Sequence, residues 1–239
     1  MTASGGSGPP SAAATGVGVV VAAAGESRRM RGVDKTFTPV LDRPLIAHTM
    51  ETLDRIDQVD AIVIVCHADS LDAMRSLVDR SGWRKVTAVV PGGARRQDSV
   101  LAGLDALGPR EWVMVHDGAR PCFDHEMVAR GMDAALETGA AVAAVPSKDT
   151  IKSAGPDLLV TATLPRQQLW LVQTPQVFRY DILRSAYESA DEDVTDDASL
   201  VERSGHRVKL FMGSYENIKV TTPEDLAVVE LFLRRTAGA

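Results

Sequence analysis

Apolar residues in this chain gather into short unbroken blocks, and the stretches between them carry helical spacing. The blocks are "GVGVVVAAAG" (16–25), "AIVIVC" (61–66), "VTAVV" (86–90), "EWVMVHD" (111–117) and "AAVAAVP" (140–146). Continuous apolar runs of this length suit strands covered on both faces, as in parallel sheets. Residues 44–56 place Leu45, Ile46, Thr49, Leu53 and Ile56 on one helical stripe, with Pro44 suited to a first turn. Residues 69–82 predict a helix with Asp69 or Ser70 as N-cap and Gly82 as its stop. Further helices are predicted over 96–108 and 124–139. Strand and helix thus alternate from residue 17 to 145, which implies an α/β fold with a mostly parallel central sheet and helices on both faces. Ligands in such sheets bind at the carboxyl ends of the strands.

The alternation then breaks. Residues 147–178 read as short strands around the turn "AGPD", and residues 146–170 are expected to form a β-hairpin arm inserted in the α/β frame. After it come a helix over 180–190, the acidic stretch "DEDVTDDASLVERSG" and a strand at 207–213. A short strand "NIKVT" and a final helix "PEDLAVVELFLRR" close the pattern. Residues 17–235 form one expected domain. The Gly/Ser/Ala/Pro-rich residues 1–16 are expected to be disordered, and 236–239 to be a tail.

Composition narrows the class. The chain has 239 residues, 45% hydrophobic and 24% charged, with a net charge of −6. The negative balance argues against a general nucleic-acid binder but permits a local basic pocket for an anionic small substrate. No apolar run approaches the ~18 residues of a membrane span, and the first residues lack the basic region of a signal peptide, so the cytoplasm is the expected compartment. Cys66 ends an apolar run and reads as a packed strand residue; Cys122 reads as a bystander.

Three stretches at predicted strand ends carry candidate chemistry. "VAAAGESRRM" runs a strand into Gly25 and a basic cluster of Arg28, Arg29, Arg31 and Lys35. A glycine there allows close backbone approach to an anion, and guanidinium groups fork onto phosphate oxygens. The spacing fits neither the dinucleotide fingerprint nor the P-loop. "PGGARRQDSV" (91–100) places Gly92 and Gly93 after a strand, with Asp98 or Ser99 available to cap the next helix. "VHDGARP" (115–121) places Asp117 at a strand end, where a lone carboxylate suits Mg²⁺ shared with substrate phosphates, and Arg120 can hold another anion. Each stretch also reads as an ordinary turn or cap. His116 reads as packed rather than catalytic. Thr195 reads as a helix N-cap, and "DEDVTDD" as a solvated loop, because it lacks EF-hand spacing. Basic and hydroxyl groups around one Asp at strand ends form the pattern of phosphoryl or nucleotidyl transfer.

"AAAGESRRM", "GGARRQDSVLAGL", "VHDGARP", "KDTIK", "QTPQVF", "TDDASLVE" and "ENIKVTTPEDL" occur in an order that resembles the 2-C-methyl-D-erythritol 4-phosphate cytidylyltransferases, across residues 17–235. The resemblance implies a three-layer Rossmann-like nucleotidyltransferase fold. It implies transfer of CMP from CTP to the polyol phosphate, in non-mevalonate isoprenoid synthesis. It gives Arg29, Lys35 and Lys219 catalytic roles on the reacting phosphates. Ala23, Ala24, Gly25, Gly93, Ala94 and Ser99 would bind the nucleotide. Asp117 would hold Mg²⁺ or another divalent cation. Asp117, Arg120, Thr150, Arg166, Thr174 and Thr195 would serve the polyol phosphate. The arm would swap into a twofold partner, so that Thr150 and Arg166 act in the neighbour's site of a homodimer. Two positions depart from the family pattern: Ser27 replaces a second glycine and Asp34 replaces a proline, and Glu26 adds another acid. Two other readings stay open: a cytidylyltransferase for another polyol phosphate such as ribitol 5-phosphate, and a non-catalytic nucleotide-binding regulator.

Overall fold

The computed structural model describes residues 16–25, 35–189 and 194–237. The calls on an N-terminal extension, on Arg29, and on Glu26, Ser27 and Asp34 lie wholly or almost wholly outside the described residues. In chain order the elements are β1 (Val17–Ala23), β2 (Pro39–Val40), β3 (Arg43–Pro44), α1 (Leu45–Arg55), β4 (Val59–Cys66), α2 (Leu71–Ser81) and β5 (Val86–Pro91). Next come α3 (Arg96–Leu107), β6 (Trp112–Asp117), α4 (His125–Thr138), β7 (Ala140–Pro146), β8 (Lys152–Ala154) and β9 (Val160–Thr163). The last are β10 (Trp170–Arg179), α5 (Tyr180–Glu188), α6 (Asp197–Arg203), β11 (Lys209–Met212) and α7 (Pro223–Ala237).

Seven strands make one sheet in the order β11-β7-β10-β6-β1-β4-β5. Every neighbouring pair is parallel except those of β10, which runs antiparallel to both β6 and β7. The central strands alternate side chains between two cores. On one face Val19 and Val21 pack with Ile46 and Met50 of α1, Met74 of α2 and Met127 of α4. On the other, Val20 packs with Val100 and Leu104 of α3, Leu183 of α5 and Val201 of α6. Burial on both sides explains why these strands read as unbroken apolar runs, and it makes the fold the expected three-layer α/β arrangement.

The punctuation follows local chemistry. Gly82 ends α2 and Gly139 ends α4, both with left-handed backbone (φ 67° and 82°). Asp124 caps α4 by accepting from the Met127 N–H at 2.7 Å. Neither Asp69 nor Ser70 caps α2 through its side chain; a 3-10 turn over Ala68–Ser70 leads into that helix instead.

Two expectations change. The run ending in "QTPQVF", read as short strands, becomes the ten-residue β10, threaded between β6 and β7. The predicted strand "NIKVT" is irregular, tied to the fold by Val220 N–H donating to Ala119 O at 2.9 Å. Tertiary pairing decides both, and local β-propensity does not encode it. Between β7 and β10 the chain forms the two-stranded β8–β9 ribbon, with Lys152 opposite Thr163. Every residue of these two strands is exposed, as is Leu158 at the tip, 84% accessible. The last helix runs on through Ala237. Among the described residues no helix is long and apolar enough to cross a membrane.

Close packing of α3 on the sheet depends on Gly103. A Cβ added there would lie 2.9 Å from Val65 Cγ2 and would also meet Val20. Because both neighbours are fully buried and cannot yield cheaply, Gly103→Ala is expected to destabilise the protein by about 1–3 kcal/mol. Urea unfolding would show it as a lower midpoint at unchanged slope.

Candidate active site

The chain reverses direction across the sheet at β1. Helices α1 and α2 carry it from β1 to β4 and β5 along one face, and α3 returns it along the other face to β6, on the opposite side of β1. The carboxyl ends of β1 and β6 therefore flank a crevice, which is where open α/β sheets bind ligands. A cleft of about 470 Å³ lies there. The end of β1 (Ala23, Ala24, Gly25), Lys35, the loop with Gly93 and Ala94, and Ser99 line it. A second cleft of about 450 Å³ is lined by Arg120, Gln173, Thr174, Thr195 and Asp196. Three residues belong to both: Arg96, Asp117 and Lys219.

The loop before α3 is shaped by contact. A Cβ on Gly92 would lie 2.7 Å from Ser99 Oγ and would meet Ala24, so glycine lets this loop close against the end of β1. Gly93 N–H donates to Ser99 Oγ at 3.1 Å, and that hydroxyl donates to Arg95 O at 3.1 Å. Arg95 is the N-cap of α3, and the Asp98 carboxylate accepts from its backbone N–H at 3.1 Å. Asp98 thus supports the cap without being one.

Asp117 ends β6 with only 8% of its side chain exposed. Lys219 Nζ lies 2.9 Å from its Oδ2, Arg120 Nε 3.4 Å from the same oxygen, and Arg96 Nη2 4.0 Å from Oδ1. Burial alone would raise this carboxyl's pKa, but Lys219, Arg96 and Arg120 together overcome it and hold Asp117 well below the ordinary carboxylate range. Burial also lowers the Arg120 pKa, against the pull of Asp117.

A directed chain of hydrogen bonds sits behind this cluster. Asp117 N–H donates to Thr174 Oγ1 at 3.0 Å, and Thr174 Oγ1 lies 3.1 Å from His116 Nδ1. His116 Nε2 lies 3.1 Å from Arg120 O. Because a carbonyl can only accept, Nε2 carries the proton and Nδ1 accepts from the Thr174 hydroxyl. Burial lowers the His116 pKa to about 4, so the ring is neutral near pH 7. It packs against Phe123, 4.2 Å between centroids with the rings tilted by 45°. This is the packed histidine that the strand pattern predicts.

Lys219 rides on an irregular segment pinned by Asn217, which is fully buried. Asn217 Nδ2 donates to Thr174 O at 2.8 Å and Gln173 Oε1 at 3.2 Å, while its backbone carbonyl accepts from Arg120 Nη1 at 2.7 Å. One residue thereby fixes the segments that carry Lys219, Thr174 and Arg120.

The structure brings together Ala23, Ala24, Gly25, Lys35, Gly93, Ala94, Ser99, Asp117 and Lys219 in the first cleft, and Arg120, Thr174 and Thr195 in the second. It leaves Thr150 and Arg166 outside both clefts, exposed on the arm, where Arg166 Nη1 donates to Lys148 O at 3.0 Å. Thr195 is not a cap: Asp196 caps α6 by accepting from Ser199 N–H at 3.1 Å. Nor is the acidic stretch all solvated. Asp197 is completely buried, 2.7 Å from Arg96 Nη2, and accepts from the Tyr187 hydroxyl. Sequence reasoning passed over Asn217 and Tyr187 and placed Asp197 in a solvated loop; an acid in an otherwise apolar helical stripe, as in "DASLV", is a signal that could have pointed to Asp197.

Among the described residues no group of three or more His, Cys, Asp or Glu gathers to hold a metal. The single ionised carboxylate of Asp117, facing both clefts, fits a hard divalent cation that takes its remaining oxygens from phosphates and water.

A three-layer α/β sheet with a cationic crevice at its switch point belongs to the nucleotidyltransferase class. Comparison with known proteins is more specific. The family model "IspD: 2-C-methyl-D-erythritol 4-phosphate cytidylyltransferase" matches residues 17–235. The 2-C-methyl-D-erythritol 4-phosphate cytidylyltransferase of Dehalococcoides mccartyi is 48% identical over 219 residues, 92% of this chain and 96% of the relative. The crystal structure of 4-diphosphocytidyl-2C-methyl-D-erythritol synthase from Anaerococcus prevotii superposes with a TM-score of 0.82 at 30% identity, covering 93% of this chain and 97% of the other. That of the Thermus thermophilus cytidylyltransferase gives 0.77 at 32% identity, covering 92% and 99%. The chain belongs to the 2-C-methyl-D-erythritol 4-phosphate cytidylyltransferase family and is a cytidylyltransferase.

The neutral His116 makes stability depend on pH. Its folded pKa is depressed, so its contribution is fully present above the unfolded value of 6.5 and is lost as pH falls towards about 4, where the unfolded chain takes up a proton that the native site refuses. The loss amounts to about 3 kcal/mol. His48, its pKa also lowered by burial, adds to the same window, while the Asp117 contribution fades only below the ordinary carboxylate value of 3.8. Denaturant midpoints from pH 7 to 4 are expected to fall less steeply for His116→Gln than for the wild type.

Proposed function

We propose that the protein transfers CMP from CTP to 2-C-methyl-D-erythritol 4-phosphate, releasing pyrophosphate, with a divalent cation such as Mg²⁺, as a cytoplasmic homodimer. The observation that carries this reading is the meeting of two clefts at one shared group of charges, Asp117, Lys219 and Arg96. CTP would occupy the cleft of β1 and the Gly93 loop, and the polyol phosphate the cleft of Arg120 and Thr195.

The reaction needs no base. A phosphate monoester has a second pKa near ~6 and is largely dianionic at neutral pH. Consistent with that, His116, the histidine beside Asp117, is sealed, neutral and hydrogen-bonded at both nitrogens. The barrier is repulsion between two anions as an oxygen of the polyol phosphate attacks the α-phosphorus in line with the departing pyrophosphate. Lys219 and Lys35 stand on the walls of the nucleotide cleft, where they would neutralise charge on the α-phosphate; Arg29 would join them. Asp117 orients Lys219 and would hold the cation, which when bound supplies further neutralisation of the phosphates. Residual discrimination would rest on Ser99 and the Gly93 loop for cytosine, and on Arg120, Thr174 and Thr195 for the polyol phosphate.

The arm supports the dimer. Its two strands bury nothing within their own chain, and its tip exposes Leu158 and Leu159. Thr150 and Arg166 on it would complete the neighbour's second cleft.

Incubation with CTP, Mg²⁺ and either 2-C-methyl-D-erythritol 4-phosphate or ribitol 5-phosphate, followed by a pyrophosphate assay, is expected to show turnover with the former; preference for ribitol 5-phosphate, or CTP binding without pyrophosphate, would replace this reading. Lys35→Ala and Lys219→Ala are each expected to lower kcat by about 10²–10³ with little change in KM for CTP; steady-state kinetics showing only a KM effect would contradict the assigned role. Mixing inactive Arg166→Ala and Lys219→Ala proteins after subunit exchange is expected to restore activity, because one site of each mixed dimer would be intact. No recovery would mean that the arm serves its own chain.

A further inference from the structure

Arg96 is held in a way that the transfer outlined above leaves unused. It opens α3 and lines both clefts. One end of its ion pair is closed: Asp197, the first residue of α6, has no exposure, lies 2.7 Å from Arg96 Nη2, and accepts from Tyr187 through its other oxygen. The other end is open. The Arg96 side chain is 27% exposed, and its Nη2 is 4.0 Å from Asp117 Oδ1, beyond hydrogen-bond reach.

The bland reading is an ion pair that ties α6 to α3. Other bonds already hold α6 in place. The Val194 N–H ahead of it donates to Gln97 Oε1 of α3 at 3.4 Å, and Gln176 of β10 donates through Nε2 to Asp196 Oδ2 at 2.9 Å and accepts at Oε1 from Ala198 N–H at 3.1 Å. A purely structural pair also gains nothing from facing two clefts. Among the paired groups at the seam, three cations (Arg96, Arg120, Lys219) meet two carboxylates (Asp117, Asp197), while Asp196 and Glu202 lie on the wall of the second cleft. A guanidinium offers five N–H donors in a rigid plane, so it can keep one edge on Asp197 and present another to phosphate oxygens.

We propose that Arg96 is a further catalytic residue that contacts a substrate phosphate at the seam of the two clefts, and that Asp197, steadied by Tyr187, is the positioning residue that holds it there. This rests on the reading of the clefts as sites for CTP and a polyol phosphate. Asp197 does more than neutralise Arg96. Without its pull the guanidinium closes the 4.0 Å gap onto Asp117 and competes with Lys219 for that carboxylate.

Paired replacement separates this from a structural role. Exchanging a buried ion pair for apolar residues is often neutral for stability when no polar partner is left behind, so Arg96→Met with Asp197→Leu and Tyr187→Phe is expected to keep its urea midpoint near the wild type and to lose about 100-fold in kcat/KM. Wild-type kcat/KM in that variant would overturn the proposal. Asp197→Asn is expected to lower kcat/KM in the wild-type background and to add nothing once Arg96 is Met; an equal effect in both backgrounds would overturn the positioning role. Should the paired variant not fold, Arg96→Lys decides, since it keeps the charge opposite Asp197 and loses the fork. An about tenfold lower kcat/KM at unchanged midpoint is expected, and no change would overturn the proposal. If the wild type releases no pyrophosphate with either polyol phosphate, the reading of the clefts fails separately. Calorimetric titration of CTP and of the polyol phosphate then decides: an about tenfold weaker Kd for at least one in Arg96→Lys supports the contact, and equal Kd values for both overturn it.

Discussion

The Asp117 carboxylate, sunk at the end of β6 among Lys219, Arg120 and Arg96, is the contact on which the rest of the site depends. Three cations converging on one crevice would repel one another and would draw in water or stray anions. One desolvated carboxylate at their centre turns that repulsion into a fixed geometry. The balance is electrostatic, since burial opposes the charge on Asp117 and the neighbouring cations more than compensate.

This cluster is held by elements far apart in the chain. Asp117 comes from β6, Arg96 from the start of α3, Arg120 from the turn after β6, and Lys219 from the irregular segment before α7. Strand β10 joins them. Its insertion between β6 and β7 brings Thr174 to the Asp117 backbone and gives Asn217 a carbonyl to donate to, and Asn217 in turn sets Lys219 and Arg120. The one antiparallel strand of the sheet is thus the support of the second cleft, while the parallel strands β1 and β6 support the first.

The same framework closes off His116, the histidine beside the carboxylate, as a proton acceptor. His116 is the one titratable ring beside the carboxylate, and its two nitrogens are bound to Thr174 and the Arg120 carbonyl. Its neutrality keeps a further positive charge away from Arg120 and Lys219. Positioning and neutralisation are what such a site offers to transfer between phosphate groups.

By itself the sequence determined the layers and the location of the first cleft. Blocks such as "GVGVVVAAAG" and "EWVMVHD" are apolar throughout because both faces of β1 and β6 are covered, and that is a local, readable pattern. The glycines and basic residues after those blocks are legible for the same reason: they follow directly on a strand end. Only the tertiary structure decided that "QTPQVF" enters the sheet as an antiparallel strand, that "NIKVT" is an irregular segment pinned by a buried amide, and that Asp197 leaves the acidic stretch to meet Arg96. These depend on partners from about 35 to about 100 residues away in the chain. A strand's neighbours and a carboxylate's burial are properties of what packs against them, and no periodicity within a short window carries that information.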